Sequence, residues 1–289
     1  MTIETIRNIT PVPPSLNYGN ILFSLPPITY IKNTMRTGRR NINKLQPLLA
    51  LLLGCAVLTA AADCDDPPAR DALWVGCDKQ NAKLGGVDLR DAILTQTNFS
   101  GADLRGAKLS GAELNFANLK DTKLDRARLN NARLTGAKLN NSSLNQAILS
   151  GAKLDRAVLD NASLVEARMN NTSLYQASLI DSDLQHSNLT GSNLSQSNLS
   201  GANLQHSNLS QANLTQANLE DAKLNHAIMI ETNLEQARLL FADLSNSNLS
   251  KARLVDAKID EAILDKARID KAQWIDHRRC RDNSIGQCR

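Results

Sequence analysis

Three histidines, His186, His206 and His226, stand twenty residues apart, and four cysteines, Cys64, Cys77, Cys280 and Cys288, form two close pairs on either side of them. Imidazoles held in a row can share a metal ion, or repel one another once protonated. Thiols in close pairs form disulfides in an oxidising compartment, or bind zinc when nitrogen ligands stand nearby. No histidine lies near Cys64 and Cys77, so disulfides are the expected chemistry there. Four cysteines allow three pairings, and the local ones, Cys64 with Cys77 and Cys280 with Cys288, hold if the chain between them keeps its ends apart. Both questions turn on what a twenty-residue spacing means in space.

The intervening chain answers through a five-residue period. From residue 82 to residue 274 a small residue falls on every number ending in 2 or 7 and a large apolar one on every number ending in 4 or 9, giving 39 pentads in one phase. Thirty-three of the large positions are Leu, and the exceptions are Phe99, Met169, Met229, Ile259, Ile269 and Trp274. On an α-helix successive leucines would be about 500° apart and would wander round the whole circumference. On an extended segment the small residue and the Leu, two apart, point to the same side. They therefore point inward. The other three residues make the outer surface and the bend, so each pentad is one face of a coil and four faces close a turn of twenty residues.

The pentads Ala102-Asp103-Leu104-Arg105-Gly106, Ala127-Arg128-Leu129-Asn130-Asn131 and Ala202-Asn203-Leu204-Gln205-His206 resemble those of the pentapeptide-repeat family. The resemblance implies an all-β fold, a right-handed four-sided parallel β-helix; 39 pentads at four per turn make about ten coils, and the flanking cysteine pairs are expected to close small disulfide-bonded caps. It implies no single activity, because the family shares a shape and not a chemistry. In such a stack, residues twenty apart lie one strand spacing from each other, roughly 4.8 Å, so the three histidines form a row along one edge. The small position must stay small because the bore is narrow. Its Ser and Thr hydroxyls need partners and are expected to bond the adjacent backbone.

The flanks read as address and lids. Residues 1–34 are a leader outside the fold, either disordered or preceding the true start at Met35. Residues 35–62 carry a basic segment with Arg36, Arg39, Arg40 and Lys44, the apolar run Leu45 to Leu58, and Ala60-Ala61-Ala62. That order of segments is a secretory signal peptide with cleavage after Ala62, too short in its apolar core for a comfortable membrane span. The expected destination is the bacterial periplasm. An alternative is a lipid anchor through Cys55, since Leu52-Leu53-Gly54-Cys55 approximates a lipobox. Residues 63–81, with Trp74, form an N-terminal cap, 82–274 the β-helix, and 275–289 a C-terminal cap; each covers an open coil end that would otherwise invite aggregation.

Composition narrows the function. Residues 1–62 hold six Lys or Arg and one Glu, which leaves 27 basic and 28 acidic residues in the rest of the chain. Nucleic-acid binding normally requires a basic excess, and the acidic, DNA-like surface of the topoisomerase-protecting members of the family is equally missing. There is no nucleophile elbow, no Gly-rich phosphate loop and no metal motif, so no catalytic residue, metal or cofactor is expected. Residues 184–219 carry no Asp, Glu, Lys or Arg. A polar surface without charge loses little on desolvation, so this belt, with His186, Asn193, Asn198, Asn203 and His206 and with His226 at its edge, is the candidate interaction surface. The expected function is a non-enzymatic exported scaffold that binds a protein partner. A polysaccharide or cell-wall ligand is the alternative.

Overall fold

The computed structural model describes residues 64–289; the leader, the signal segment and Cys55 lie outside the described residues. The chain is a right-handed quadrilateral β-helix. Parallel bridges join each residue at the centre of a face to the residue twenty further on, from Leu73↔Ile93 to Arg253↔Gln273 without a slip. Along the faces, Leu154 N–H donates to Ser173 O at 2.7 Å and Lys153 N–H donates back to Ala132 O at 2.9 Å. Among the described residues no helix is long and apolar enough to cross a membrane.

Each corner is a tight turn. The carbonyl of the large residue accepts from the N–H three residues on, as Ala152 N–H does to Leu149 O at 2.8 Å. Every residue whose number ends in 1 or 6, from Asp71 to Lys271, has a positive φ, near +60°. That hydrogen bond with a left-handed third residue is the signature of a type II turn, which favours Gly and tolerates Asn. Ten glycines among the described residues have such a φ. The pentad is thus two inward residues on a short extended face plus two that turn.

The interior is a stack of identical layers. Nearly every Leu and Ala of the repeat is fully buried, and burying one Leu side chain contributes about 1.5–3 kcal/mol relative to exposure. Buried hydroxyls follow two patterns. Threonines reach to the coil below, Thr122 Oγ1 donating to Phe99 O at 3.0 Å and Thr172 Oγ1 to Leu149 O at 2.9 Å. Serines turn back on their own turn, Ser192 Oγ donating to Leu189 O at 2.6 Å and Ser207 Oγ to Leu204 O at 2.7 Å. Ser187 breaks the rule: its hydroxyl is buried with no hydrogen-bond partner among the described residues.

Parallel bridging starts at Leu73, inside the segment read from sequence as the cap. Trp74 fills a large position rather than lying over the first layer, fully buried, with its Nε1–H donated to Asp66 O at 3.2 Å. The ring lies 6.4 Å from that of Phe99, and Lys79 Nζ sits 4.1 Å from its centre on one side. Cys77 occupies the next small position, buried, and is bonded to Cys64. At the other end Trp274 is the last large residue of the repeat. The chain then doubles back, with antiparallel bridges Gln273↔Arg279 and Arg268↔Ile285, and Cys280 is bonded to Cys288. Both disulfides suit an oxidising compartment.

Candidate interaction surface

The twenty-residue coil places His186, His206 and His226 at one corner, each at the left-handed turn position with φ of 57°, 58° and 61°. Their backbones are tied to the next coil: His186 N–H donates to Gln205 O at 3.1 Å, His206 N–H to Asn225 O at 3.3 Å and His226 N–H to Ser245 O at 3.0 Å. The rings stack face to face, with centroids 5.0 Å apart at 4° between His186 and His206, and 4.8 Å apart at 6° between His206 and His226. Parallel rings aim their nitrogen lone pairs side by side rather than at one point. Among the described residues no group of three or more His, Cys, Asp or Glu is arranged to hold a metal ion. What the stack offers is a flat polar edge with fixed spacing.

That edge continues toward the N-terminal end. Arg126 Nε–H donates to Gln146 Oε1 at 2.9 Å, and Gln146 Nε2–H donates to Glu166 Oε2 at 2.8 Å, one coil below His186. The diagonally opposite corner carries an amide ladder in which Arg156, Gln176, Gln196 and Gln216 each donate to the next, ending at Gln236, at 2.8–3.2 Å. Side-chain ladders of this kind are rigid because each member is held by two neighbours.

The asparagines divide. Ten residues separate Asn193 from Asn203, half a coil, so they lie on opposite faces of the rod, with Asn198 on the face between them. Their oxygens cap local turns, Asn193 Oδ1 accepting from Ser195 N–H at 3.2 Å and Asn198 Oδ1 from Ser200 N–H at 3.1 Å. Only Asn203, on the face that runs into the His206 corner, shares a surface with the imidazoles. The charge-free belt therefore girdles the rod instead of forming a patch, because consecutive pentads point to successive sides.

A feature that composition hid lies lower on the histidine corner. Gly85 and Gly106 leave the surface bare, and an open hollow of about 710 Å³ is lined by them with Asp103, Arg105, Asp125, Arg126, Asn145 and Gln146. Arg105 clasps Asp103 through Nε–Oδ1 at 2.8 Å and Nη2–Oδ2 at 2.5 Å. This two-point hydrogen bond holds the Asp103 carboxyl at about 2. The sequence signal was available: Gly85, Gly86 and Gly106 are clustered at one corner where other coils carry side chains. Phe116 and Phe241 are a second omission, being 59% and 53% exposed at other corners.

Comparison with solved structures places this geometry. A trypsin-treated form of QnrB1, a plasmid-mediated fluoroquinolone resistance protein, is similar over 62% of this chain and 89% of its own, with 22% identity and a TM-score of 0.57. HetL, a pentapeptide repeat protein involved in heterocyst differentiation regulation from the cyanobacterium Nostoc sp. strain PCC 7120, is 30% identical over 68% of this chain and 94% of its own, with a TM-score of 0.26. Rfr23 from the cyanobacterium Cyanothece 51142 is 34% identical over 34% of this chain and 60% of its own, with a TM-score of 0.18. Curated proteins provide no match. The family model described as Pentapeptide repeats matches eight copies, over residues 76–111, 112–151, 152–191, 177–216, 217–254 and 237–272. With its unbroken five-residue phase, square coil and matched repeats, this chain belongs to the pentapeptide-repeat family.

Proposed function

We propose that the chain is a non-enzymatic scaffold of the bacterial periplasm that binds a protein partner along the corner formed by His186, His206 and His226 with Asn203. The observation that carries this reading is the stacked imidazole edge, preorganised by the backbone and flanked by uncharged amides. Such a surface gives hydrogen bonds to a partner without the cost of stripping water from full charges. The two disulfides support an oxidising destination, and the signal segment at residues 35–62 supports export.

The test is recovery of partners from a periplasmic extract on immobilised protein. Asn203→Glu with His206→Glu should abolish recovery, whereas Asn193→Glu on the opposite face should leave it unchanged. Glutamate already occupies the same turn position at Glu166 and Glu231, so the fold tolerates the change. Loss with Asn193→Glu alone, or retention in the double variant, refutes the assignment of this corner.

A saccharide ligand is the second reading. It is favoured by the hollow beside Arg105 and Arg126, where the Asp103–Arg105 pair and the Arg126–Gln146 bond present both donors and acceptors to hydroxyl groups. Direct titration with soluble cell-wall glycan fragments separates it from the first.

A further inference from the structure

The face that follows the histidine corner carries a row of cations. Lys108, Arg128 and Arg168 stand at its centre with Ile148 between the last two, on four successive coils joined by the bridges Lys108↔Arg128, Arg128↔Ile148 and Ile148↔Arg168. Neighbours in that column are roughly 4.8 Å apart, so the row runs straight along the rod. All three cations are exposed, and among the described residues none of their side chains is in a hydrogen bond or an ion pair. Arginines at the centre of the other faces are engaged, Arg133 by Glu113, Arg238 by Glu220 and Arg253 by Glu235. The row starts above Asp88, which Arg90 clasps at 2.8 Å, and ends below Asn188.

The margins of this strip are low and polar. On one side the corner at 110–111, 130–131, 150–151 and 170–171 holds only Ser, Gly and Asn. On the other lies the hollow beside Gly106. Arg126 borders it, giving only its Nε–H to Gln146 and leaving its terminal N–H groups unbonded among the described residues. The carboxylates on that side are occupied: Arg105 clasps Asp103, Asn145 N–H donates to Asp125 Oδ1 at 3.2 Å, and Gln146 Nε2–H donates to Glu166 Oε2 at 2.8 Å. Among the described residues none of the three is paired with a cation of the row.

We propose that this strip binds an acidic polysaccharide of uronate sugars, laid along the rod with one sugar to each coil from Lys108 to Arg168. The ligand's class rests on the saccharide reading above; its charge, its length and its line of contact are new. An extended 1,4-linked uronate chain advances by about one strand spacing per sugar, so it keeps step with the coils over this distance. Its carboxylates lie along both edges, within reach of the long side chains of Lys108, Arg128 and Arg168 and of Arg126 at the border. Half-buried Ile148 gives the coil without a cation an apolar contact for the C–H face of a ring. Asn130, Ser150 and Asn170 on the margin meet sugar hydroxyls. Because the cations of the row are unpaired, no ion pair is broken when the polymer binds. Duplex DNA fits less well, since its phosphates wind round an axis and a straight row meets few of them. A lipid surface finds no apolar side chain to take up beside Ile148.

The experiment titrates the purified full chain by calorimetry with oligogalacturonates and oligomannuronates of increasing length, and with neutral xylo- and cello-oligosaccharides beside them. Affinity for the uronates should grow up to about four sugars, one for each coil of the row, then level off, and should fall with added salt. Lys108→Gln, Arg128→Gln and Arg168→Gln should each weaken binding about two- to fivefold, and together at least about tenfold, with an unchanged melting temperature. Lys138→Gln and Lys153→Gln, exposed on two other faces, should leave binding as it is. The basic residues of 1–62 are common to every variant, so the differences report the strip. Uronate binding that survives the triple change overturns the proposal, as does tighter binding of duplex DNA or of vesicles of anionic phospholipid. Equal binding of the neutral oligosaccharides overturns it too but leaves the saccharide reading standing, whereas failure of every oligosaccharide removes both.

Discussion

The phenyl ring of Phe116 lies 2.7 Å from the point that a Cβ on Gly136, one coil above, would occupy. Other corner glycines have the same neighbour relationship, with an Asn or Asp below leaning over the bare Cα, as Asn171 does over Gly191. Large and missing side chains are paired along the corner.

Gly136→Ala should therefore destabilise the rod by about 1–2 kcal/mol, because alanine resists the left-handed turn and meets the ring. Phe116→Ala in the same chain should recover the steric part only. Thermal denaturation of the two single variants and the double variant measures the coupling; simple additivity would show that ring and glycine are independent.

Ser187→Ala should stabilise the fold by about 1 kcal/mol, since it removes a buried hydroxyl that has no partner. Ser192→Ala, which removes a satisfied one, should not. Chemical denaturation midpoints of the two variants decide the matter.

Ala157→Leu should cost about 1–3 kcal/mol or more by overfilling the bore. Lys153→Ser, on the outer side of the preceding pentad, should change stability by less than about 0.5 kcal/mol. Equal tolerance at the two sites would contradict the inward assignment of the small position.

Asp103 should titrate at about 2 while Arg105 clasps it. The depressed folded-state value means that the pair stabilises the fold above the unfolded aspartate pKa of about 3.9 and that this contribution fades as pH falls toward 2. Carboxyl carbon shifts followed by NMR should show Arg105→Gln returning the midpoint toward the ordinary range.

Mapping of non-reduced peptides should link Cys64 to Cys77 and Cys280 to Cys288. Removing the first bridge by Cys64→Ser with Cys77→Ser should cost about 3 kcal/mol on the chain-entropy estimate for a loop of this length. A much smaller loss would mean that the cap holds without its covalent tie.

The square coil, the inward pair and the disulfides were legible because they depend on side-chain type at fixed spacing, as with Ala157 and Leu159. The row of His186, His206 and His226 followed from the same arithmetic. Grouping Asn193 with Asn203 failed because closeness along the chain does not survive a ninety-degree bend every five residues. The left-handed corners were written in the glycines and asparagines at numbers ending in 1 and 6, but composition averages that signal away. The antiparallel return of the lid over Gln273 and Arg268 was illegible, since residues 275–289 follow no period.

An unbroken phase also makes length a quantised property of this molecule. Gaining or losing five codons rotates everything downstream by a quarter turn, so that the ladder above Glu166 would rise over a different corner. Twenty codons, one whole coil, lengthen or shorten the rod while every column keeps its neighbours. Copying errors in the gene can thus change the reach of the protein in discrete steps, each keeping the register of every column, and selection can set the length as one sets a ruler by its marks.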